Sequence, residues 1–208
     1  MKLIIFDMDG TLIDSGDVIT NTINQVRQDL GLEAIDKKTM LTQINNPDIN
    51  SAEYFYGTSE FTTEETASFC KYYDKNCTKD IKLYSGMEDL LKKLSDKYVL
   101  SVATNASEIF ASKMLEATNI KQYFKYVIGY DMVKNAKPSP DMLIKTMSKF
   151  NINSNEAILI GDSLKDERSA LNANIKSILV NWGFTPNKHG VNNTDELYKE
   201  ILDKLGDK

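Results

Sequence analysis

Five short runs of apolar and β-branched residues recur along the chain: Leu3 to Phe6, Val99 to Ala103, Tyr126 to Ile128, Ala157 to Ile160 and Ser177 to Val180. Stretches of helical length, such as Glu108 to Ala117 and Asp141 to Phe150, separate all but the first two. Continuous apolar strands that alternate with helices need cover on both faces, and sheets of that kind are parallel. The predicted core is therefore a doubly wound α/β layer structure.

The first gap breaks this rhythm. About ninety residues lie between Phe6 and Val99, whereas a crossover to a neighbouring parallel strand needs only about a dozen. Most of the segment must be an insert. Ile19, Ile23, Val26 and Leu30 fall at helical intervals before Gly31, which predicts a helix over Val18 to Leu30. A second helix is expected over Thr63 to Lys79, opened by Thr62 or Thr63 with Glu65 or Thr66 behind it. No strand pattern shows in the insert. The expected division is a core of residues 1–15 and 83–208 with an all-helical unit at 16–82, its exits marked by Ser15-Gly16 and Ser85-Gly86.

Composition narrows the chemistry. Of 25 Lys and Arg only Arg27 and Arg168 are arginine; there is one His, His189, and there are two Cys, Cys70 and Cys77. A His-based triad, a zinc site rich in His or Cys and a disulfide framework all lack the side chains they need. Cys70 and Cys77 lie in the second insert helix and read as packing residues. A formal charge of −5 with scattered Lys argues against a nucleic-acid partner. Met1 to Phe6 is too short for a signal peptide or a spanning helix, so no membrane partner and a cytoplasmic location are expected.

The polar residues that follow the strands carry the functional signal. Strand one runs into Asp7-Met8-Asp9-Gly10-Thr11, strand two into Thr104-Asn105, and the fourth into Gly161-Asp162-Ser163-Leu164-Lys165-Asp166. Between the last two, Ala136-Lys137-Pro138-Ser139-Pro140 sets Lys137 ahead of a helix that Ser139 and Pro140 would open. Ligands of open α/β sheets bind beyond the carboxyl ends of the strands, so these segments converge where a site belongs. A hydroxyl and free amides at a helix start, as at Thr104-Asn105 with Ser107 as the expected cap, suit an anion. Asp166 reads either as a helix cap or as a support for the site.

The order acid pair, hydroxyl, Lys, acid resembles the haloacid dehalogenase-like hydrolase superfamily over nearly the whole chain. The resemblance implies a Rossmann-like core whose helical insert is a cap of the first type, closing over the site. It also implies that Asp7 is the nucleophile, forming an aspartyl-phosphate that water hydrolyses, and that Asp9 is the general acid and base. Mg²⁺ would be held by Asp7, the Asp9 carbonyl and Asp162, with Asp166 steadying the metal or Lys137. Thr104, Asn105 and Lys137 would bind the phosphoryl group. An Asp at position 9 sets the chain apart from the superfamily's dehalogenases and favours phosphoryl transfer.

The expected activity is thus a Mg²⁺-dependent phosphatase acting on a small phosphorylated metabolite, most like the phosphoglycolate phosphatase branch. Val180-Asn181-Trp182-Gly183-Phe184 adds to that likeness, although Trp182 and Phe184 also suit core closure. Arg27, Asn45 and Asn46 are the cap residues expected to select the substrate, and Arg168 is the other arginine open to an anionic group. Two alternatives stand beside this reading. A sugar phosphomutase of the β-phosphoglucomutase type would share every core residue. A receiver-like phospho-acceptor protein also pairs Asp with Thr and Lys, but leaves no place for the insert.

Overall fold

The computed structural model describes residues 1–207. In chain order its strands are β1 (Leu3–Phe6), β2 (Ile13–Asp14), β3 (Lys82–Leu83), β4 (Val99–Ala103), β5 (Tyr126–Ile128), β6 (Ala157–Gly161) and β7 (Lys176–Leu179). The helices are α1 (Gly16–Asp29), α2 (Lys37–Ile44), α3 (Ser51–Tyr56), α4 (Thr63–Asn76), α5 (Met87–Ser95), α6 (Glu108–Ala117), α7 (Asp141–Phe150), α8 (Leu164–Asn172) and α9 (Thr194–Leu205).

A five-stranded sheet of order β5-β4-β1-β6-β7 forms the core, and each of its pairings is parallel. The pleat sends neighbouring residues to opposite faces. Ile4 and Phe6 of β1 pack with Leu91 of α5, Met114 of α6 and Ile201 of α9, whereas Leu3 and Ile5 face Leu143 of α7 and Ala170 of α8. Helices on both sides explain why these strands read as unbroken apolar runs. Because β1 lies between β4 and β6, the turns after these three strands meet at one carboxyl-end crevice.

The insert carries a small core of its own, in which Ile23 and Val26 of α1 meet Met40 of α2 and Phe55 and Tyr56 of α3. Burying side chains of this size contributes about 1.5–3 kcal/mol each relative to exposure. Helix α4 bridges both cores, with Phe69 and Tyr72 resting against this small one. Its Tyr73 packs edge-on against Phe110 of α6 with ring centroids 5.2 Å apart, and Tyr73 joins the larger core. Both cysteines are free thiols; Cys77 is buried in that core, as packing residues are.

Several boundaries differ from the sequence expectation, each for a local reason. Helix α1 begins at Gly16 rather than Val18, and α4 ends at Asn76 rather than Lys79. Thr62 is the residue that caps α4, with Glu65 returning the bond to complete a capping box. β7 runs one residue earlier than expected, since Val180 bridges Val191 instead. The Ser107 hydroxyl makes no cap bond at α6; the Asp131 carboxylate accepts the Glu108 N–H at 2.9 Å in its place. At α7 the cap position falls to Pro140, and the Ser139 hydroxyl donates to Asp141 at 2.5 Å. The insert is also entered and left through a two-residue antiparallel ribbon, β2 with β3. Two residues are too few to show a period. No helix among the described residues is long and apolar enough to cross a membrane.

Candidate active site

The Asp7–Thr11 segment leaves β1 as a tight turn. The N–H groups of Thr11, Leu12 and Ile13 all donate to the Met8 carbonyl, at 3.3, 2.9 and 3.0 Å, while Gly10 takes φ +82°. That geometry keeps Asp7 in line with the strand and aims Asp9 aside. The result is that the two carboxylates acquire different partners.

Asp7 faces Lys137. The ammonium donates at 2.6 Å to Asp7 Oδ1 and at 2.6 Å to Asp166 Oδ1, and the three residues are 6%, 5% and 1% exposed. The other Asp7 oxygen accepts from the Thr11 hydroxyl at 3.3 Å. Burial alone would lower the Lys137 pKa, but Asp166 and Asp7 outweigh it and hold the ammonium above its usual range. Burial pushes Asp7 well above the ordinary carboxylate range; Lys137 opposes this, while Asp166 and Asp162 add to it.

Asp9 points to the hydroxyls. Its Oδ1 accepts from Ser15 at 2.5 Å and its Oδ2 from Thr104 at 3.5 Å. Burial raises its pKa, with Ser15 opposing. From sequence Ser15 marks only the exit of the core; its hydroxyl in fact holds one of the two paired acids. The Asp9 carbonyl accepts no hydrogen bond among the described residues.

Thr104 and Asn105 follow β4. The Thr104 hydroxyl accepts the Ala106 N–H at 3.1 Å, tightening the turn. The Asn105 carboxamide is committed to Lys137: its Nδ2 donates to the Lys137 carbonyl and its Oδ1 accepts the Lys137 N–H, both at 3.0 Å. The Asn105 N–H has no partner among the described residues and is the part of this residue open to an anion. The Lys137-Pro138 peptide is cis.

Asp162 and Asp166 come from the turn between β6 and α8. Asp166 combines both sequence readings. One oxygen holds Lys137, and the other accepts the Ser163 hydroxyl at 2.6 Å and the Ser163 N–H at 3.2 Å, as a capping residue does. Asp162, 1% exposed, accepts at Oδ2 from the Phe184 N–H at 2.8 Å and from Asn45 at 3.0 Å. Two glycines make the room for it: a Cβ on Gly10 would stand 2.4 Å, and one on Gly183 2.5 Å, from that same oxygen. Burial, then Asp166, pushes Asp162 up to about 7. Trp182 instead ties the last strand to the first turn, donating to the Thr11 carbonyl at 3.1 Å.

One carboxylate oxygen each from Asp7, Asp162 and Asp166 lies within 4.8 Å of the others, and all three residues are buried. Lys137 is the cation bonded among them, so the cluster is short of positive charge. An all-oxygen set with this deficit fits a hard divalent cation. Both Asp166 oxygens accept bonds of 2.6 Å, whereas Asp7 Oδ2 takes only the 3.3 Å bond from Thr11 and both bonds to Asp162 fall on its Oδ2, which leaves Asp7 and Asp162 as the better donors.

A cavity of about 770 Å³ opens in front of Asp7, Asp9, Thr104 and Lys137, with the insert forming its far wall. Asn45 lines it, with its amide bonded to Asp162 Oδ2. Arg27 and Asn46 do not line it. The Arg27 guanidinium donates to the carbonyls of Glu33 and Phe55, tying α1 to α3, and Asn46 bonds Gln43 and the Asp48 N–H within its own turn. Arg168 forms a two-pronged pair with Asp48 at the surface. Lys165, not singled out from sequence, does line the cavity, and its ammonium donates to the Ile44 carbonyl at 2.6 Å.

The chain is similar to known proteins over most of its length. Residues 4–180 match the family described as haloacid dehalogenase-like hydrolase, and the chain belongs to that family. Among its relatives is a phosphoglycolate phosphatase of Aquifex aeolicus, 29% identical over 88% of this chain and 86% of that protein. A pyrophosphatase PpaX of Listeria innocua is 27% identical over 89% of this chain and 86% of its own. Among solved structures, one described as a predicted phosphatase from Clostridium acetobutylicum superposes with a TM-score of 0.85. It is 29% identical and covers 97% of this chain and 98% of that one.

Proposed function

We propose that the protein is a phosphatase that hydrolyses small phosphate monoesters through an aspartyl-phosphate on Asp7. The observation that carries this reading is the convergence of a lysine-held carboxylate, a second carboxylate held by hydroxyls and an open backbone amide at one end of one cavity. The relatives named phosphatase support it. Residues 16–82 would act as a cap that forms the leaving-group side of the cavity and excludes water while the phosphoryl group moves.

Asp7 attacks phosphorus and the bond to the leaving oxygen breaks. Asp9, whose pKa burial raises, delivers a proton to that oxygen and then removes one from the water that cleaves the aspartyl-phosphate. Lys137 favours the ionised form of Asp7 against burial and, with Thr104 and the Asn105 N–H, meets the charge on the phosphoryl oxygens. Asp7, the free carbonyl of Asp9 and Asp162 would hold Mg²⁺, with Asp166 fixing Lys137. Mg²⁺ would offset the repulsion between a carboxylate and a phosphate dianion. We place the protein in the cytoplasm.

The test is phosphate release from a panel of phosphorylated metabolites, with and without chelator. Turnover that stops on chelation, returns with Mg²⁺ and falls at least about 10³-fold in Asp7→Asn is the expected result. Activity retained in Asp7→Asn would sink the assignment. A sugar phosphomutase would yield an isomer instead of free phosphate. Likeness to a Thermotoga maritima structure described as a β-phosphoglucomutase, at 19% identity and a TM-score of 0.72, speaks only to the fold.

A further inference from the structure

The cavity has two unlike ends. Beyond the carboxylates, its walls are chiefly the rings of Phe55, Phe69, Tyr73 and Phe110 with the aliphatic Ile19 and Ile23. Phe61 and Tyr130, 54% and 44% exposed, stand among the lining residues where it meets solvent. Such a surface gains by covering an apolar body and offers little to a row of hydroxyls.

Charge is distributed just as unevenly. The cations that line the cavity are Lys137 and Lys165. Lys137 is held between Asp7 and Asp166, and Lys165 is bonded to the Ile44 carbonyl. Both arginines are engaged elsewhere, with Arg27 on backbone carbonyls and Arg168 on Asp48. Among the apolar walls sits a carboxylate, Glu65, which is 3% exposed and fixed by the Thr62 N–H at 2.8 Å and the Thr58 hydroxyl at 3.3 Å. An anionic tail entering this end would be desolvated without an unengaged cation and would face a like charge.

Resting on the phosphatase reading, we infer that the substrate's leaving group is an uncharged alcohol with an apolar, ring-sized body, and that Glu65 discriminates against leaving groups bearing a carboxylate or phosphate. The cap cavity thus selects against the acids that the names of the relatives bring to mind. Selection comes from the aromatic walls by attraction and from Glu65 by repulsion.

The experiment compares kcat/KM for benzyl phosphate, 2-phosphoglycolate and pyrophosphate on the intact protein with Mg²⁺. The first two both release a primary alcohol, so their ratio reads the leaving-group end rather than the attack on phosphorus. Benzyl phosphate should exceed each of the others by at least about tenfold. Glu65→Gln should shrink the benzyl phosphate to phosphoglycolate ratio at least about threefold, because Gln keeps the capping box and removes only the charge. A melting curve like that of the parent protein checks that the fold is kept. Equal or better turnover of phosphoglycolate or pyrophosphate overturns the inference and leaves the phosphatase reading standing, as does a ratio that Glu65→Gln does not move. No phosphate from any of the three, nor from the wider metabolite panel, overturns the phosphatase reading itself.

Discussion

Asn105 grips the backbone of Lys137 with both ends of its carboxamide, donating to the carbonyl and accepting from the N–H at 3.0 Å each. The turn after β4 thereby positions the lysine ahead of α7, and the two are one device. Asn105→Ala should leave that part-buried peptide unpaired, costing about 1–3 kcal/mol. In phosphate-release kinetics kcat should fall more than KM rises, since the lysine that opposes protonation of Asp7 loses its support. Urea unfolding measures the stability part separately.

Removing the lysine itself is the harsher change. Lys137→Met leaves Asp7 and Asp166 buried without their shared cation, and breaking a buried pair from one side costs about 3–5 kcal/mol. The variant should be inactive and unfold at lower urea. Mg²⁺ should restore part of the stability but not the activity, as thermal melts with and without the ion would reveal.

Acidity gives a second handle on the cation. In the metal-free protein Asp162 is pushed up to about 7, by burial first and Asp166 next, from an ordinary value of 3.8. Between about pH 4 and 7 the folded state therefore binds more protons than the unfolded one, so stability falls as pH rises through that window. A cation must meet ionised carboxylates, so it competes with those protons. The rise in melting temperature on adding Mg²⁺ should be larger near pH ~8 than near pH ~5. An equal rise at both would show that the ion binds elsewhere.

Gly10 has little freedom to change. Its φ of +82° disfavours a side chain, and a Cβ there would stand 2.4 Å from Asp162 Oδ2. Gly10→Ala should destabilise by about 1–3 kcal/mol and weaken Mg²⁺ binding together. Titration calorimetry that finds unchanged affinity would separate the turn from the ion site.

The parallel sheet and the order of the four motifs were legible because both are written locally: strands as apolar runs, chemistry as short polar segments at their ends. Asp7, Asp9, Thr104, Lys137 and Asp166 line one cavity, and Asp162, outside that lining, has an oxygen within 4.8 Å of Asp7 and Asp166. What stayed hidden depends on which distant groups meet. Ser15 gained its role only when its hydroxyl met Asp9, and Asn105 only when the Lys137 loop came to lie beside the turn after β4. Arginine scarcity made Arg27 stand out in the sequence, yet its guanidinium is taken by two carbonyls of the insert. A side chain's partners across some thirty residues leave no periodic trace. The ribbon of β2 and β3 was invisible for the opposite reason, being shorter than any period.

That ribbon has a consequence for how the protein can change over generations. Residues Ile13–Asp14 and Lys82–Leu83 lie side by side, so the chain leaves the core and returns to it at nearly one point. Lengthening, shortening or replacing what lies between them need not move β1, β4 or β6. Substitutions that reshape the aromatic walls can then accumulate while the aspartates and Lys137 stay fixed, and new leaving groups become reachable without reinventing the bond-breaking step.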